Sequence, residues 1–502
     1  MGKNVIIIGG GLGGLVCACL LSKEGYKVTI LEKHSIVGGG LHCFKKHGVL
    51  FETGIHYISG FQEGGVLRKL FNYLNITDKL DIKPLNKDGF DVMHVGSDDR
   101  KYYMGVGKEN YIRLLSESFP EETENIIAYV NGIYGLADAI PLFNLRFKTE
   151  SLGYFDDSFL ISVGDYISSF TTNKKLQMVL AWDNTLYAGA YDVTPIYIHA
   201  LVTKFCIEGA SRFNGGSQQL ADAMVEIIQN SGGNVILNAE VCKIDVENKL
   251  IEAIHTTDKK TYSADHYISS IHPAILMDMI EPEKVQASYR NRLQNIENSY
   301  SAFTVYAILK PKSFPFLNYN YYYFDNYDMV WHPTVYDYES FPIGFMLITP
   351  SIQNQGEYAE KVIINCIMKF DDFKKWEATQ QGKRGQDYYD IKQQYQQKIL
   401  DKVNKVFPGF YDSIEHVFSS TPLTLRDYLG SKDGSLYGYM KDCRNIVKSQ
   451  LVPRTKIDNL LLTGQNLNLH GIVGVPLSAI VTAGSLVGVD NIINKIVEAN
   501  KK

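Results

Sequence analysis

The N-terminal residues hold the pattern that most constrains the fold of this chain. Val5 to Ile8 is an unbroken β-branched run, which predicts a buried strand of a parallel sheet. A glycine run follows at once and satisfies GxGxxG at Gly9, Gly11 and Gly14. A strand that enters such a turn and then a helix is the opening unit of a doubly wound sheet. The sequence therefore predicts an α/β fold.

The residues after the glycines complete a βαβ unit. Residues 15–24 predict a helix, and residues 27–32 predict a second strand that ends in Glu32. In such a unit the glycines permit a tight turn, let the backbone approach a pyrophosphate, and let helix and strand pack closely. The helix N-terminus favours phosphate, and the acid accepts from ribose hydroxyls. Because Glu32 would repel a 2′-phosphate, the pattern indicates an NAD-like or FAD-like adenosine.

A longer pattern beyond Glu32 separates these two cofactors. Gly38-Gly39, Gly48 and the triplet Glu52-Thr53-Gly54 follow. They resemble the FAD-binding motif of the flavoprotein superfamily that includes amine oxidases and phytoene desaturases, in which Asp is common at the position of Glu52. The resemblance implies FAD as the cofactor.

The match continues toward one branch of that superfamily. Gly54-Ile55-His56-Tyr57 resembles the all-trans-retinol 13,14-reductases, or retinol saturases, and their bacterial relatives. Similar blocks occur at 199–217, 232–244, 421–438 and 459–474, whereas 61–190 and 301–415 match only loosely. The resemblance implies that FAD is held by Gly9, Gly11, Leu12, Gly13, Gly14, Glu32, Lys33, Gly39, Gly40, Leu41, Val241, Gly464, Asn466, Gly474 and Val475. Asn466 departs from the Asp or Glu usual in the family, but it still donates and accepts at a ribityl hydroxyl.

The distribution of these blocks predicts two interleaved domains. A Rossmann-like FAD-binding domain takes three discontinuous segments, 1–65, 200–280 and 415–502. An inserted substrate domain of mixed sheet plus helices takes 66–199 and 281–414. Within the FAD domain, a strand is expected at 263–270 and another at 460–463, followed by a buried helix at 471–489 with Pro476 in its first turn.

Local patterns in the second insertion give two more expectations. The aromatic alternation of 314–324 is compatible with a strand whose rings line a cavity or pack on a helix. An exposed loop is expected over 377–397, leading into a helix at 388–406.

Aromatic residues and charge indicate the kind of partner. Most of the 33 tyrosines lie within 61–200 and 301–450, so the two insertions are richer in aromatic rings than the segments that hold the flavin motifs. A net charge of −5 argues against nucleic-acid binding. The insertions therefore favour a tunnel for a hydrophobic small molecule.

Two histidines are candidates for the catalytic proton donor, and no set of residues has the spacing of a metal site. His56 follows the flavin motif by two residues, and His199 matches a histidine of the saturase-like stretch. For each of them, a hydrogen-bonded role in the core or beside the cofactor is an equal alternative. Tyr57 and Tyr197 are weaker candidates.

The resemblance implies an FAD-dependent oxidoreductase that saturates a C=C bond of a polyene or other isoprenoid lipid. A desaturase or a redox-neutral cis-trans isomerase is the first alternative. A non-catalytic flavin-containing lipid carrier is the second, on the grounds of the departures Glu52 and Asn466. Residues 105–110 lack the third glycine of a second GxGxxG. The sequence therefore indicates no second dinucleotide-binding domain. NAD(P)H, as a transient reductant, would bind at the same face of the flavin as the substrate, unless another donor supplies the electrons.

Cysteine usage and apolar runs bear on location. The seven cysteines include no CxxC pair, which is typical of reduced thiols in a cytoplasmic protein. The run 471–489 contains Pro476 and several glycines and hydroxyl residues, so a buried helix is expected there and no transmembrane segment. Peripheral attachment to a membrane remains open.

Overall fold

A computed structural model describes residues 3–146, 157–352 and 355–501. Residues 1–2 and 502, which fall in the predicted FAD segments, and 147–156 and 353–354, which fall in the predicted substrate segments, lie outside the described residues. The strands are β1 (Asn4–Ile8), β2 (Lys27–Leu31), β3 (Cys43–Lys46), β4 (Val49–Glu52), β5 (Ile58–Ser59), β6 (Ile82–Pro84), β7 (Asp91–Val95), β8 (Arg100–Met104), β9 (Ala210–Phe213), β10 (Asn234–Ile236), β11 (Val241–Glu247), β12 (Leu250–Thr256), β13 (Thr261–Tyr262), β14 (His266–Ser269), β15 (Ser301–Leu309), β16 (Asn320–Phe324), β17 (Gly344–Ile348), β18 (Lys361–Met368), β19 (Ile414–Ser420) and β20 (Leu460–Leu462). The helices are α1 (Leu12–Lys23), α2 (Val66–Leu74), α3 (Lys108–Ser118), α4 (Thr123–Ala139), α5 (Val163–Ser168), α6 (Lys174–Leu180), α7 (Ile196–Glu208), α8 (Gln218–Asn230), α9 (Pro273–Asp278), α10 (Ala287–Gln294), α11 (Gln386–Val406), α12 (Phe410–Ser413), α13 (Pro422–Leu429), α14 (Ile446–Ser449), α15 (Gly471–Val487) and α16 (Val489–Ala499).

A five-stranded parallel sheet in the order β10-β2-β1-β14-β20 forms the nucleotide-binding layer. Its central strand is apolar on both faces, with Ile7 paired to Ile30 on one side and to Ile268 on the other. Helices α1, α8 and α15 pack together over one face, and their side chains share a core with the sheet. Because strands buried on both faces read as continuous apolar runs, the N-terminal pattern predicts this layer correctly. The Rossmann-like α/β fold is confirmed.

Several boundaries differ from the sequence expectation. Helix α1 begins at Leu12, directly after Gly11, and not at residue 15. Helix α11 begins at Gln386, so the loop expected over 377–397 is limited to its first part. Helix α15 begins at Gly471, which places Pro476 inside the helix and not in its first turn. A proline there cannot donate the backbone hydrogen bond to the carbonyl four residues earlier.

A seven-stranded mixed sheet in the order β19-β15-β18-β17-β16-β7-β8 forms the second layer. Its pairs are antiparallel except for β16 and β7, which run parallel. Helix α11 packs on one face, and α3, α4 and α7 contribute to the core on the other. The prediction of an inserted mixed sheet with helices is confirmed.

The two layers take their strands from interleaved parts of the chain. The parallel sheet draws on residues 4–31, 234–269 and 460–462, and the mixed sheet draws on 91–104 and 301–420. Strand β19, at 414–420, belongs to the mixed sheet. The first residues of the segment 415–502, which was expected to belong to the FAD-binding domain, are therefore part of the second layer. The strand expected over 314–324 is confined to β16, which starts at Asn320.

Candidate functional site

A cavity of about 400 Å³ lies between the two layers. On one side it is lined by the turns that follow β1, β14 and β20, represented by Gly11, Ser270 and Gly464. On the other side it is lined by the mixed sheet, including Tyr322 and Phe345. Ligands of open α/β sheets bind at the carboxyl ends of the strands, which is where this cavity opens.

Histidines are the basic side chains in the described part of the cavity wall. Among the described residues that line it there is no Asp, Glu, Lys or Arg. The half of the cavity nearer the mixed sheet is mainly apolar, with Phe324, Ile343, Phe345, Met346 and Ile367 among its residues. A charged ligand would lose its hydration there without an ionic partner, so the wall favours a neutral, apolar one.

The first glycine turn is shaped for close approach of a ligand. Gly9 has a φ of +94°, and a side chain at Gly14 would clash with the carbonyl oxygen of Gly9. Gly11 is the N-cap of α1, and a Cβ atom there would meet nothing within 4 Å. The turn therefore leaves space on the cavity side of Gly11, at a helix N-terminus that attracts phosphate.

Glu32 directly follows β2, and its carboxyl group is buried. Its Oε2 accepts from the N–H of Gly10 at 2.7 Å, and its Oε1 accepts from the N–H of His34 at 2.9 Å. Each carboxylate oxygen keeps a second lone pair for another donor, such as a ribose hydroxyl. The N–H of Ala239 donates to the Glu32 carbonyl at 2.8 Å, which brings the segment leading to Val241 beside this strand end. Lys33 donates to the carbonyl of Asp427 at 2.7 Å.

The turn after β20 lies against the first glycine turn. Gly464 has a φ of +96°, and a Cβ atom on Gly13 would lie 2.9 Å from the Cα atom of Gly464. Asn466 accepts from the N–H of Tyr439 at 3.0 Å through Oδ1, and its carbonyl accepts from Lys441 Nζ at 2.9 Å. Burial lowers the pKa of the Lys441 ammonium to about 7.

Helix α15 closes this wall of the cavity. A Cβ atom on Gly474 would lie 2.6 Å from the backbone carbonyl carbon of Leu469, so only glycine permits this close packing. Val475 lines the cavity one residue later. Of the predicted cofactor residues, the cavity brings together Gly11, Leu12, Gly13, Gly39, Gly40, Leu41, Gly464, Asn466 and Val475.

The other predicted cofactor residues are not among the described residues that line the cavity, and they lie close to those that do. Gly9, Gly14 and Gly474 allow the backbone contacts described above. Glu32 holds the glycine turn, and Lys33 donates to the carbonyl of Asp427 within α13. Val241 is buried at the start of β11, where it pairs with Thr256.

His56 lines the cavity beside the mixed sheet. Asn365 Nδ2 lies 3.2 Å from His56 Nε2, and Thr304 donates to Asn365 Oδ1 at 2.7 Å. With Nε2 accepting, the ring proton of neutral His56 is on Nδ1, which lies 3.8 Å from Glu52 Oε2. His56 Nδ1 is buried and has no hydrogen-bond partner among the described residues.

The structure places His199 in the protein core. It is fully buried and is not among the described residues that line the cavity. Its Nε2 lies 2.5 Å from the Tyr129 hydroxyl, its Nδ1 lies 2.9 Å from the Tyr187 hydroxyl, and Asp183 Oδ1 lies 3.4 Å from Nδ1. The two predicted histidines are therefore not brought together.

His470 also lines the cavity, although it was not predicted from the sequence. It is the N-cap residue of α15, its Nε2 donates to the Leu186 carbonyl at 3.1 Å, and its ring packs on Tyr437 at 4.6 Å between centroids. Burial lowers the pKa of its imidazole to about 4, so the ring is neutral. Its position directly before the motif 471–474 is the sequence signal that marks it.

Comparison with known proteins assigns the chain to a family. The profile of flavin-containing amine oxidoreductases matches residues 12–464, which is most of the chain. The chain belongs to this family. The predicted FAD cofactor and oxidoreductase class are confirmed at the level of this flavin-containing family.

Individual relatives of this flavin-containing oxidoreductase support the resemblance seen in its motifs. The human all-trans-retinol 13,14-reductase is 26% identical over 96% of this chain and 85% of the human protein. A 4,4′-diapophytoene desaturase of Staphylococcus haemolyticus is 25% identical over 60% of this chain and 62% of its own length. An oxidoreductase of Methanosarcina mazei has the same fold, with a TM-score of 0.64 and 16% identity over 95% of this chain and 99% of that structure.

The residues of this flavin-containing oxidoreductase fit an FAD. The open side of Gly11, the buried acid Glu32 and the N-terminus of α1 suit the adenosine diphosphate part. The backbone turn at Gly464 and the start of α15 suit the ring system, and a helix N-terminus there favours negative charge on a ligand. When bound, FAD supplies two-electron hydride chemistry to a substrate in the cavity.

Proposed function

We propose that this protein is an FAD-dependent oxidoreductase that adds two hydrogens across a C=C bond of a hydrophobic polyene or isoprenoid lipid. The observation that carries the proposal is the composition of the cavity wall. A wall without Asp, Glu, Lys or Arg among the described residues, apolar toward the mixed sheet, suits a neutral hydrocarbon chain and gives a charged amine no ion pair.

The relatives support the same class of substrate. A retinol reductase matches nearly the whole chain, and a diapophytoene desaturase matches more than half of it. The first is named for reduction of all-trans-retinol at the 13,14 position, and the second is named for desaturation of 4,4′-diapophytoene. A conjugated substrate helps such chemistry because charge that develops at one carbon spreads along the chain.

Within this proposal, the fifteen predicted cofactor residues hold FAD. The glycine turns let the protein backbone lie close to the cofactor, and Glu32 accepts a hydrogen bond from a ribose hydroxyl of FAD. His56 is a candidate catalytic residue, since its ring lines the cavity and its Nδ1 has no hydrogen-bond partner among the described residues. His199 is proposed as a positioning residue, since it orders Tyr129 and Tyr187 in the core behind the wall.

Two alternative reactions would use the same cavity. One is desaturation, which removes two hydrogens from the lipid, and the other is cis-trans isomerisation, which involves no net redox change. The similarity to a diapophytoene desaturase favours desaturation as the first of these, and the shared polyene chemistry includes cis-trans isomerisation. The cavity wall is equally apolar for all three reactions, so the product distinguishes them.

The mass of the product tests the proposal. The holoenzyme with a reductant is incubated with all-trans-retinol or with 4,4′-diapophytoene, and the lipid is then analysed by mass spectrometry. A gain of two hydrogens is the expected result. A loss of two hydrogens assigns the alternative desaturase reaction, an unchanged mass with a new isomer assigns isomerisation, and an unaltered lipid contradicts the function.

NAD(P)H is proposed as a transient reductant that reaches the flavin through the same cavity. This proposal follows from the single glycine-rich dinucleotide motif in the sequence. It predicts that NAD(P)H and the lipid compete for one site, which gives parallel lines in double-reciprocal plots of initial rate. Intersecting lines contradict it.

Location is proposed as cytoplasmic with peripheral attachment to membranes. Within residues 3–146, 157–352 and 355–501, no helix combines the length and the apolar character that a membrane span requires. Val447 and Val452 are 78% and 63% exposed, and the basic residues Arg444 and Lys448 lie beside them in the chain. Apolar side chains flanked by positive charge suit an anionic bilayer surface.

A further inference from the structure

Two tyrosine hydroxyls meet at the cavity wall in front of a buried carboxyl group. Tyr57 and Tyr322 both line the cavity, and their hydroxyl oxygens lie 3.2 Å apart. The Tyr57 hydroxyl also lies 3.5 Å from Asp91 Oδ2. The parallel pairing of β16 with β7, which sets Asn320 opposite Asp91 and Tyr322 opposite Met93, brings Tyr322 close to Asp91.

Asp91 is fully buried and is held in place from its other side. Asn320 Nδ2 donates to Asp91 Oδ1 at 2.6 Å, and Asn320 Oδ1 in turn accepts from Arg212 Nη2 at 2.8 Å. Arg212 also donates to backbone carbonyls, and its positive charge lowers the pKa of Asp91 by less than burial raises it. Among the described residues, the donors to the Asp91 carboxyl are the neutral side chains of Tyr57 and Asn320.

The charge states suit proton donation. Burial raises the pKa of the Asp91 carboxyl to about 8, against the lowering effects of Asn320 and Arg212. Burial also raises the pKa of the Tyr57 hydroxyl well above its usual value. Near neutral pH both groups hold protons, with only the tyrosine open to the cavity. A buried carboxyl kept neutral behind a hydroxyl is a proton reservoir.

We propose that Tyr57 is the catalytic proton donor of the saturation reaction, with Tyr322 and Asp91 as its positioning and resupplying partners. This inference rests on the proposed function. Tyr322 donates a hydrogen bond to the oxygen of Tyr57 as that oxygen loses its proton, and Asp91 then restores the proton.

The step balances with the reduced flavin as the two-electron donor. One alkene carbon receives a hydride equivalent from that reductant, and the electron pair of the C=C bond moves to the neighbouring carbon. That carbon forms its new C–H bond with the proton of Tyr57, whose O–H bond breaks. The O–H bond of Asp91 then breaks to re-form the Tyr57 hydroxyl, and the net proton comes from solvent.

His56 is the competing donor, and its geometry is less suited. Its Nε2 accepts from Asn365, and its Nδ1 faces Glu52. In its neutral form it therefore presents its one ring proton toward a carboxylate. If the proton passes from Asp91 through Tyr57 to the substrate, a relay of two groups, then His56 is only a polar residue of the cavity wall. The variant His56→Gln distinguishes the two candidate donors.

Single-turnover kinetics test the proposal. Chemically reduced holoenzyme is mixed anaerobically with all-trans-retinol, and the return of oxidised flavin absorbance is followed. We expect Tyr57→Phe to slow this step by about 100-fold, the lower range for a general acid. We expect Tyr322→Phe to slow it about 10-fold, and retinol affinity and thermal midpoint to stay near wild type in both.

Tyr102→Phe is the matched control, since Tyr102 is also fully buried and pairs its hydroxyl with that of Tyr327 at 2.6 Å outside the cavity lining. Its flavin should reoxidise at a rate within about twofold of wild type.

The pH dependence of the reoxidation rate is a second test, which a purely structural role of these residues would not affect. The wild-type rate should fall as pH rises through the range where Asp91 ionises, and Asp91→Asn should remove that fall. A full-rate Tyr57→Phe enzyme, or a large loss confined to His56→Gln, overturns the relay.

A measurement without substrate separates failure of the relay from failure of the proposed function. If no polyene reoxidises the wild-type flavin, the proposed function fails before any variant is made. Infrared spectra of the holoenzyme then test the relay's geometry. A protonated carboxyl band near neutral pH should be absent in Asp91→Asn and shifted in Tyr57→Phe. Absence of such a band in the wild type overturns the relay.

Discussion

Gly13 and Gly464 meet backbone to backbone, because a Cβ atom on Gly13 would lie 2.9 Å from the Cα atom of Gly464. Gly13 is the second residue of α1, and Gly464 lies in the turn that follows β20. Their contact joins the two ends of the chain into one wall of the cavity. Binding of the cofactor and folding of the parallel layer are therefore linked at this point.

Glycine substitutions should separate binding from folding. Gly13→Ala forces the two turns apart, so we expect loss of bound FAD together with a lower thermal midpoint of the apoprotein. Gly11→Ala places its methyl group in open space on the cavity side, so we expect weaker FAD binding with the apoprotein midpoint unchanged. Flavin fluorescence titration and thermal unfolding measure both quantities.

Gly135→Ala is the control for these variants. Gly135 lies in α4, and a Cβ atom there meets nothing within 4 Å. Alanine stabilises a helix by about 1 kcal/mol relative to glycine, so the midpoint should rise slightly and FAD binding should stay the same. Equal effects of Gly11→Ala and Gly13→Ala on apoprotein stability would contradict the proposed contact.

Asp91 should make stability depend on pH. Its folded pKa, about 8, lies above that of the unfolded chain, so the folded state keeps a proton that the unfolded state loses. Stability from this group is therefore full below the unfolded pKa of 3.8 and falls as pH rises from there toward 8, by at most about 1.4 kcal/mol per pH unit. Arg212, Asp183, Tyr57 and Asn320 act on the same carboxyl. Denaturant unfolding from pH 5 to 9 should show a shallower fall in Asp91→Asn than in wild type, and parallel curves would refute it.

How far the sequence predicts this molecule depends on how local each feature is. The βαβ unit, the glycine turns and Glu32 lie within one short stretch, and their periods and spacing specify them. Tyr322 comes close to Asp91 only when β16 pairs in parallel with β7, and Tyr57 reaches both from the segment before β5. These are contacts between distant segments that no local period encodes. Likewise, the sequence places His199 in a matched block, but it does not show that its ring turns into the core toward Tyr129 and Tyr187.

Thiol reactivity should report burial. Cys242 is exposed, whereas Cys17 and Cys19 are buried in α1, where burial raises the pKa of Cys17 to about 12. Since the thiolate is the reactive form, a thiol reagent should modify Cys242 first in the native protein. Cys242→Ser should remove that fast phase, and Cys17 and Cys19 should react only on unfolding. Fast modification of either in the native state would show that α1 is accessible.

Membrane attachment should depend on the exposed valines after α13. The double variant Val447→Asp and Val452→Asp should lose sedimentation with vesicles of phosphatidylcholine and phosphatidylserine. Val335→Asp is the matched control, since Val335 is 65% exposed elsewhere on the surface, and it should sediment as wild type does. Equal sedimentation of all three proteins would exclude this surface as the attachment site.

The most direct test of the central claim is the anaerobic reoxidation of the reduced holoenzyme by a polyene. Stoichiometrically reduced flavin is mixed with all-trans-retinol in the absence of oxygen, and flavin absorbance and lipid mass are recorded together. The proposed function predicts that one oxidised flavin appears for each retinol that gains two hydrogens. A flavin that stays reduced with retinol and with 4,4′-diapophytoene, while air reoxidises it normally, would contradict the claim.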